Sequence, residues 1–409
     1  MKYFTDQRFS SGKRTAQLTI KESNARQLFL SVCRQGSTSR AALAKEAQLS
    51  PTTVSSLIDE LIGQHLLLET GEVVMSKSGR RPLLLEIEGG GRCLPVMTFF
   101  QEGIAYQLYD LNFHQLDTLF FPTDYRMPLR DLVAQVLAQA QPLDSAPVPA
   151  LCVVLSSVFS QHEKKFFAPS LSLQWEEEDF SRLAFSLRMP VLLAEEASCC
   201  AYAALGVLER QDGRKREDLL YLEMGEGLGC GLISQGKLAV REDGALMEPG
   251  HLCVAPEGSP CFCGGRGCLV QYLGRSALLN RAFEQSVQRP ESLIAQRCQG
   301  KRENLNFSLL AQAFSDYDPL ARDLMEETAA WLALGIRNCM CLFPAHTLVL
   351  GGCQSLGEGF LYLLRRQLEK QGQERIQRLE LLLSPLGKNG GGLGAVRLLV
   401  EQFMELLPE

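Results

Sequence analysis

A chain of 409 residues is longer than one hydrophobic core ordinarily organises, so two or three domains are expected. Apolar residues make up 46% and charged residues 22%, which excludes a disordered chain. No apolar run reaches the roughly 18 residues of a membrane span. Segment 1–13 lacks the apolar centre of a secretory signal, which points to the cytoplasm. In that reducing compartment the 14 cysteines are expected as buried thiols or metal ligands before disulfides. The net charge of −6 is uneven: residues 1–45 hold nine basic and two acidic side chains, a net of +7, and the remainder carries −13. A basic head on an acidic body suggests a nucleic-acid contact confined to the head, with a solvated basic tail as the plain alternative.

Within the head, Ala25, Leu28, Phe29, Val32 and Cys33 follow the spacing of one helix face, so a first helix is expected over 24–35, stopped by Gly36. Ser37-Thr38-Ser39 offers a new cap for a short helix through Leu43 to Ala47. After the turn at Gln48-Leu49, Ser50-Pro51 opens a third helix with a capping hydroxyl and a proline at its first position. Val54, Leu57, Ile58, Leu61 and Ile62 form its apolar face, which leaves Thr52, Thr53, Ser55 and Ser56 outward near its start. Small hydroxyl side chains at a helix N-terminus suit approach to bases and phosphates, whereas Asp59 and Glu60 would repel phosphate. The apolar runs 66–68 and 83–85 flank Lys77-Ser78-Gly79-Arg80-Arg81-Pro82, a hairpin with a basic tip. Arg80 and Arg81 on such a wing suit a minor groove. The competing reading is a packing module of three helices and a hairpin with no nucleic acid.

Gly89-Gly90-Gly91 reads as a linker, so domains are expected at 1–88 and 92–409. Strand-like runs at 94–100, 104–110, 151–156, 191–194, 219–224, 230–234 and 347–350 alternate with helical patterns at 129–140, 197–208 and after Asp318-Pro319. That alternation argues an α/β body with mixed sheets. The sharpest local signal is His251 followed by Cys261, Cys263 and Cys268. Three cysteines at C-x-C-x4-C, separated by glycine turns, bring three sulfurs to one point, and His251 completes a tetrahedron. With four protein ligands, the zinc would be structural. Unligated, reduced cysteines are the alternative.

These motifs together resemble the ROK family (repressors, open reading frames and sugar kinases), and within it the winged-helix repressor branch of the xylose and N-acetylglucosamine repressor type. Ser39–Ala44, Leu49–Ser55 and Gly79–Pro82 resemble the repressor head and wing. Glu248-Pro249-Gly250-His251 with Cys261–Leu269 resembles the family's zinc signature. Leu350-Gly351-Gly352 and Gly391–Ala395 resemble its C-terminal glycine motifs. The resemblance implies a winged helix-turn-helix followed by a two-lobed, actin-like and hexokinase-like α/β domain. Its lobes would span about 92–190 plus the C-terminal helix, and about 191–384. It adds Arg40 to the residues expected at DNA, and it implies Glu196, Glu248 and His251 as effector-binding residues.

Departures from the family's kinases decide between its activities. The first phosphate loop, Asp-x-Gly-Gly-Thr, corresponds to Thr98-Phe99-Phe100-Gln101-Glu102, without a glycine. The second, Gly-Thr-Gly-x-Gly, reads Gly225-Glu226-Gly227-Leu228-Gly229. The Asn-Asp-Ala triplet with its catalytic aspartate reads Glu195-Glu196-Ala197, and the longer side chain displaces the carboxylate. Among sugar ligands, Pro-Asn-Leu reads Pro169-Ser170-Leu171, and a glutamate is replaced by Val270. The resemblance therefore implies a transcriptional regulator, a repressor of carbohydrate-related genes, that binds an operator in double-stranded DNA as a homodimer or higher homo-oligomer. The body would be kinase-derived and either bind a small carbohydrate-type effector or serve only as a dimerisation scaffold. The competing classes are an active sugar kinase with an appended head, and a regulator governed by a partner protein.

Overall fold

A computed structural model describes residues 2–4, 16–73, 83–123, 125–140, 148–156, 158–160, 164–168, 173–239, 247–372, 376, 378–387 and 390–403. The chain divides into two compact units, residues 1–195 with 395–409, and residues 196–394.

Unit 1 opens with strand β1 (Lys2–Phe4), and its helical head follows: α1 (Ala16–Gln35), β2 (Ser37–Thr38), α2 (Arg40–Ala47), α3 (Pro51–Gly63), β3 (Leu67–Val73) and β4 (Leu83–Ile87). The caps form as the sequence requires. Ser39 Oγ accepts from the Ala42 amide and Ser50 Oγ from the Thr53 amide. Leu28, Phe29, Val32, Leu43, Val54, Leu57, Ile58 and Leu61 are all buried. β3 and β4 pair antiparallel and β2 adds to β4, which gives a three-stranded sheet beside three helices. α1 begins well before the expected residue 24. Its first turns carry no apolar face, but Ala16, Gln17, Leu18, Lys21 and Glu22 are good helix formers and extend it upstream.

The rest of unit 1 comprises β5 (Leu94–Phe100), β6 (Gly103–Tyr109), β7 (Gln115–Pro122), α4 (Leu129–Gln139), β8 (Leu151–Leu155), β9 (Val158–Ser160), β10 (Lys165–Ala168), β11 (Leu173–Glu176), α5 (Glu177–Leu187) and β12 (Val191–Glu195). Its main sheet has the order β1-β12-β8-β5-β6-β7. β12, β8 and β5 run parallel, while β6 and β7 return as antiparallel hairpins. One face buries Met97, Phe99, Ile104, Leu151, Val153 and Leu193 with Val133 of α4 and Phe180 and Leu183 of α5 in a single core. β1, which no pattern in the sequence announces, pairs antiparallel with β12 through residues 2–4 and closes an otherwise open sheet edge.

Unit 2 runs from α6 (Glu196–Asp212) through β13 (Leu219–Met224), β14 (Leu228–Ser234), β15 (Lys237–Leu238), α7 (Val270–Leu273), α8 (Arg275–Gln288), α9 (Leu293–Cys298), α10 (Phe307–Ser315), α11 (Pro319–Leu342), β16 (Thr347–Gly351), α12 (Gly357–Glu369) and β17 (Glu380–Leu383). The C-terminal helix α13 (Gly390–Phe403) starts here and from Ala395 onward belongs to unit 1. The sheet order is β15-β14-β13-β16-β17, with β13, β16 and β17 parallel. Alternating side chains divide between two cores, as strand geometry dictates. Leu220, Leu222, Leu348 and Leu350 meet α8 to α12, whereas Leu219, Tyr221, Val349 and Ile233 meet α6. No helix among the described residues is long and apolar enough to cross a membrane.

Candidate functional site

The head presents a polar helix start. Thr52, Thr53 and Ser56 are exposed and Ser55 is half-buried, while Val54, Leu57 and Ile58 between them are buried. Ser50 Oγ lies 2.8 Å from Thr52 Oγ1 and 2.7 Å from Thr53 Oγ1, so the hydroxyls cluster at the positive end of the α3 dipole. Arg40, expected among the DNA-facing side chains, is held by partners within the head. Its guanidinium is 2.7 Å from Asp59 Oδ1 and 2.9 Å from Glu69 Oε1, and it donates to the Ser55 carbonyl at 3.1 Å. Those bonds join α2, α3 and β3. The wing tip with Arg80 and Arg81 lies outside the described residues, as does Ser170.

The four candidate metal ligands converge in unit 2. The ligand atoms of His251, Cys261, Cys263 and Cys268 all lie within 4.8 Å of one another. His251 Nδ1 is 3.6 Å from Cys261 Sγ, and Cys263 Sγ is 3.6 Å from Cys268 Sγ. Two sulfurs each about 2.3 Å from a tetrahedral ion stand about 3.8 Å apart, so the spacing fits a four-coordinate cation. The loop is built for it. The Cys261 amide donates to the Gly265 carbonyl at 2.8 Å and the Gly264 amide to the Cys261 carbonyl at 3.0 Å. Gly267 is obligatory: at φ +61°, a Cβ there would fall 1.5 Å from the Ala255 carbonyl oxygen. Burial opposes ionisation of Cys261, yet hydrogen bonds from the Cys263 amide, Gln271 and the neighbouring thiols bring it down to about 7. Burial and the same neighbouring thiols push Cys268 up to about 12. A bound cation reverses that mutual opposition.

Glu248 is exposed and immediately precedes a short turn, Pro249–His251, in which the His251 amide bonds the Glu248 carbonyl at 3.0 Å. That bond ties the backbone of Glu248 to the candidate ligand His251. Glu196 is the first residue of α6 and half-buried. Both belong to unit 2. In unit 1, Thr98 to Phe100 are the end of β5, and Gln101-Glu102 is a tight hairpin turn. The Tyr125 hydroxyl reaches the carbonyls on both sides of it, Phe100 and Gly103, the latter at 2.7 Å. No short-range pattern in the sequence links Tyr125 to this turn.

The ROK family model matches residues 101–402. Among curated relatives, the xylose repressor of Bacillus spizizenii is 24% identical over 405 residues, covering 96% of this chain and 98% of that protein. The glucokinase of Streptomyces coelicolor is 26% identical over 244 residues, covering 58% of this chain and 75% of that protein. Among solved structures, a ROK family transcriptional regulator described as a homolog of the E. coli MLC protein superposes with a TM-score of 0.79 at 21% identity. That superposition covers 94% of this chain and 96% of the other. With the family model spanning both lobes and a relative matched from head to C-terminus, the chain belongs to the ROK family.

Proposed function

We propose that this protein is a DNA-binding transcriptional repressor that answers to a carbohydrate-type small molecule and does not phosphorylate sugars. The observation that carries this reading is the extent of the matches: a repressor aligns over 96% of the chain, head included, whereas a kinase aligns over 58%. The capped α3 with its exposed Thr52, Thr53 and Ser56 supports the head as the operator contact, with Arg80 and Arg81 reaching the groove. Arg40 acts through Asp59 and Glu69 as a brace of the head. A two-fold dimer reading a palindromic site is the simplest assembly, and the cytoplasm is where its operator lies.

His251, Cys261, Cys263 and Cys268 would hold one zinc ion, whose chemistry here is cross-linking, since four protein ligands leave no open position. Glu248, held beside that centre, and Glu196 at the start of α6 are the proposed effector contacts, with His251 contributing through its position. Fluorescence anisotropy with DNA from the flanks of the protein's own gene tests the reading. Saturable binding that is specific against random duplex, and released by a sugar from a thermal-shift screen, is the expected result. Equal affinity for random duplex at physiological salt, together with sugar phosphorylation, would return the kinase reading.

A further inference from the structure

Helix α11 of unit 2 changes character along its outward face. In its first turns that face is charged, and each charge is paired within the chain. Arg289 lies 2.6 Å from Asp323, Arg322 lies 3.5 Å from Glu326 and Arg281 lies 2.7 Å from Glu327. From residue 330 onward the same face turns apolar. Ala330 and Cys341 are exposed, Leu342 is 65% exposed, and Trp331 and Leu334 are half-buried. A helix face that met only water would stay polar to its end. The inner face is fixed: it buries Leu332, Ile336 and Cys339, and a Cβ on Gly335 would fall 2.4 Å from Leu269 Cδ2. Rotation of the helix therefore cannot hide the apolar outer residues.

Two further features of this face ask for a partner. Trp331 stacks on Tyr272 of α7 with ring centres 4.1 Å apart, and its Nε1 donates to Glu327 at 3.2 Å. The indole is thus held in one orientation before anything binds. Arg337, less than two turns further on, is half-buried, yet its side chain makes no ion pair or hydrogen bond among the described residues. Trp, Tyr and Arg are the residue types that dominate the energetics of protein interfaces.

We propose that the C-terminal half of α11 is the surface on which two copies of this chain pair, the helices antiparallel with Leu334 on the two-fold axis. Residues equidistant from 334 then face each other. Leu334 meets Leu334, Ala330 meets Asn338, and Trp331 meets Arg337. Each guanidinium gains the indole of the other copy, with the Glu327 carboxylate one turn away, and the contact occurs twice, as an isologous interface requires. No like charges oppose each other between 327 and 341, since Glu327 faces Cys341.

The assignment rests on the homodimer of the proposed function and says which face forms it. The test is sedimentation of the full-length protein at micromolar concentration. Wild type is expected to be a dimer. Leu334→Lys and Leu334→Glu each set like charges against one another across the axis, and each should raise the dimer Kd at least about a hundredfold. An equimolar mixture of the two should dimerise again, because only a residue that meets its own copy turns those two defects into a Lys–Glu pair. Monomeric wild type would overturn both the face and the homodimer. Folded variants that dimerise as tightly as wild type would remove the face and leave a dimer formed elsewhere. Variants that are monomeric alone and stay monomeric when mixed would remove the pairing of α11 with itself. Should the position-334 variants fail to fold, as judged by circular dichroism, Arg337→Glu alters a side chain with no partner in its own chain. It is expected to weaken the dimer about tenfold by placing a carboxylate near the Glu327 of the other copy, and an unchanged Kd would likewise overturn the assignment.

Discussion

Arg40 Nη2 lies 2.7 Å from Asp59 Oδ1, a bond that ties the first residue of α2 to the middle of α3. Partial burial works against the charge, yet the hydrogen bonds to Asp59 and then Glu69 hold the guanidinium's pKa above its ordinary value. We propose that a basic residue so engaged braces the head instead of offering its charge to phosphate. Arg40→Ala is therefore expected to weaken operator binding about tenfold through a loosened head, with the slope of log affinity against log salt unchanged. Arg40→Lys restores little, because one ammonium cannot serve two carboxylates and a carbonyl in the same fork geometry. A slope smaller by about one unit in Arg40→Ala would instead place the guanidinium on a phosphate.

The wing carries the opposite expectation. Arg80→Ala combined with Arg81→Ala removes two groups proposed to neutralise or enter the groove. Affinity for the operator should fall, and the salt slope should shrink by about two units. The same variant should melt as wild type does, so that the lost affinity is not lost folding. Anisotropy titrations at several salt concentrations measure both, and an unchanged slope would take the wing out of the DNA contact.

Much of this was legible in the residues because the physics is local. The caps at Ser39 and Ser50 depend on the next three residues, and short continuous apolar runs such as 219–224 announce a buried strand. The metal tetrad is legible because glycine turns force nearby cysteines together. What escaped depends on partners distant along the chain. Arg40 reads as one more basic residue until Asp59 and Glu69 are seen beside it. Strands β9, β10 and β11 are three or four residues long, too short for period-two alternation to register. α8, whose first residues Arg275 and Ser276 meet the glycine turn at 225–227, follows the metal loop with no local sign of what it caps.

The metal loop gives a stability prediction. Purified protein should carry about one zinc per chain, and Cys263→Ser should destabilise it by at least about 2 kcal/mol, because metal-binding energy is folding energy for such a loop. Effector response should fall in the same variant, since the His251 amide holds the Glu248 carbonyl at 3.0 Å and the turn loosens with the centre. Metal analysis and thermal melts check this; metal-free protein of full stability would sink the structural role.

A second stability test is acid. Arg216 is almost wholly buried at the side chain and bridges Asp212 on α6, at 2.7 Å, to Glu380 on β17, at 3.1 Å. Its hydrogen bonds, with one from the Arg214 amide, hold Asp212 down at about 2. Glu380 is held below its ordinary value as well, although burial pulls the other way. A carboxylate with a depressed folded pKa stabilises above its unfolded pKa, near 4, and loses that contribution as pH falls through the folded value. Melting temperature should therefore drop steeply between about pH 4 and pH 2. Arg216→Met should melt about 3–6 °C lower at neutral pH and show a shallower decline over that window. Parallel curves for the two proteins would exclude the network as the source.

The last expectation is that the protein transfers no phosphoryl group. In unit 1, the turn at 98–102 offers no glycine to bring amides close to a phosphate, and the Tyr125 hydroxyl reaches the carbonyls on both sides of it. In unit 2, Glu223 and Glu226 place two carboxylates at the ends of the parallel strands. Each like charge close to a polyphosphate costs on the order of 1–4 kcal/mol at an effective dielectric of about 20, so the pair weakens nucleotide binding by several powers of ten. Magnesium screens part of that repulsion, but it cannot supply the missing small residues of the first loop. On the proposed correspondence of Glu196 with the kinases' aspartate, the extra methylene would move the base by about an ångström, a displacement that alone slows positioned proton transfer about a hundredfold. Wild-type protein with Mg-ATP at about millimolar concentration should give no calorimetric signal and no product across hexoses and amino sugars. Turnover of any of them, lost in Glu196→Gln, would make Glu196 a working base and the head an appendage to an enzyme.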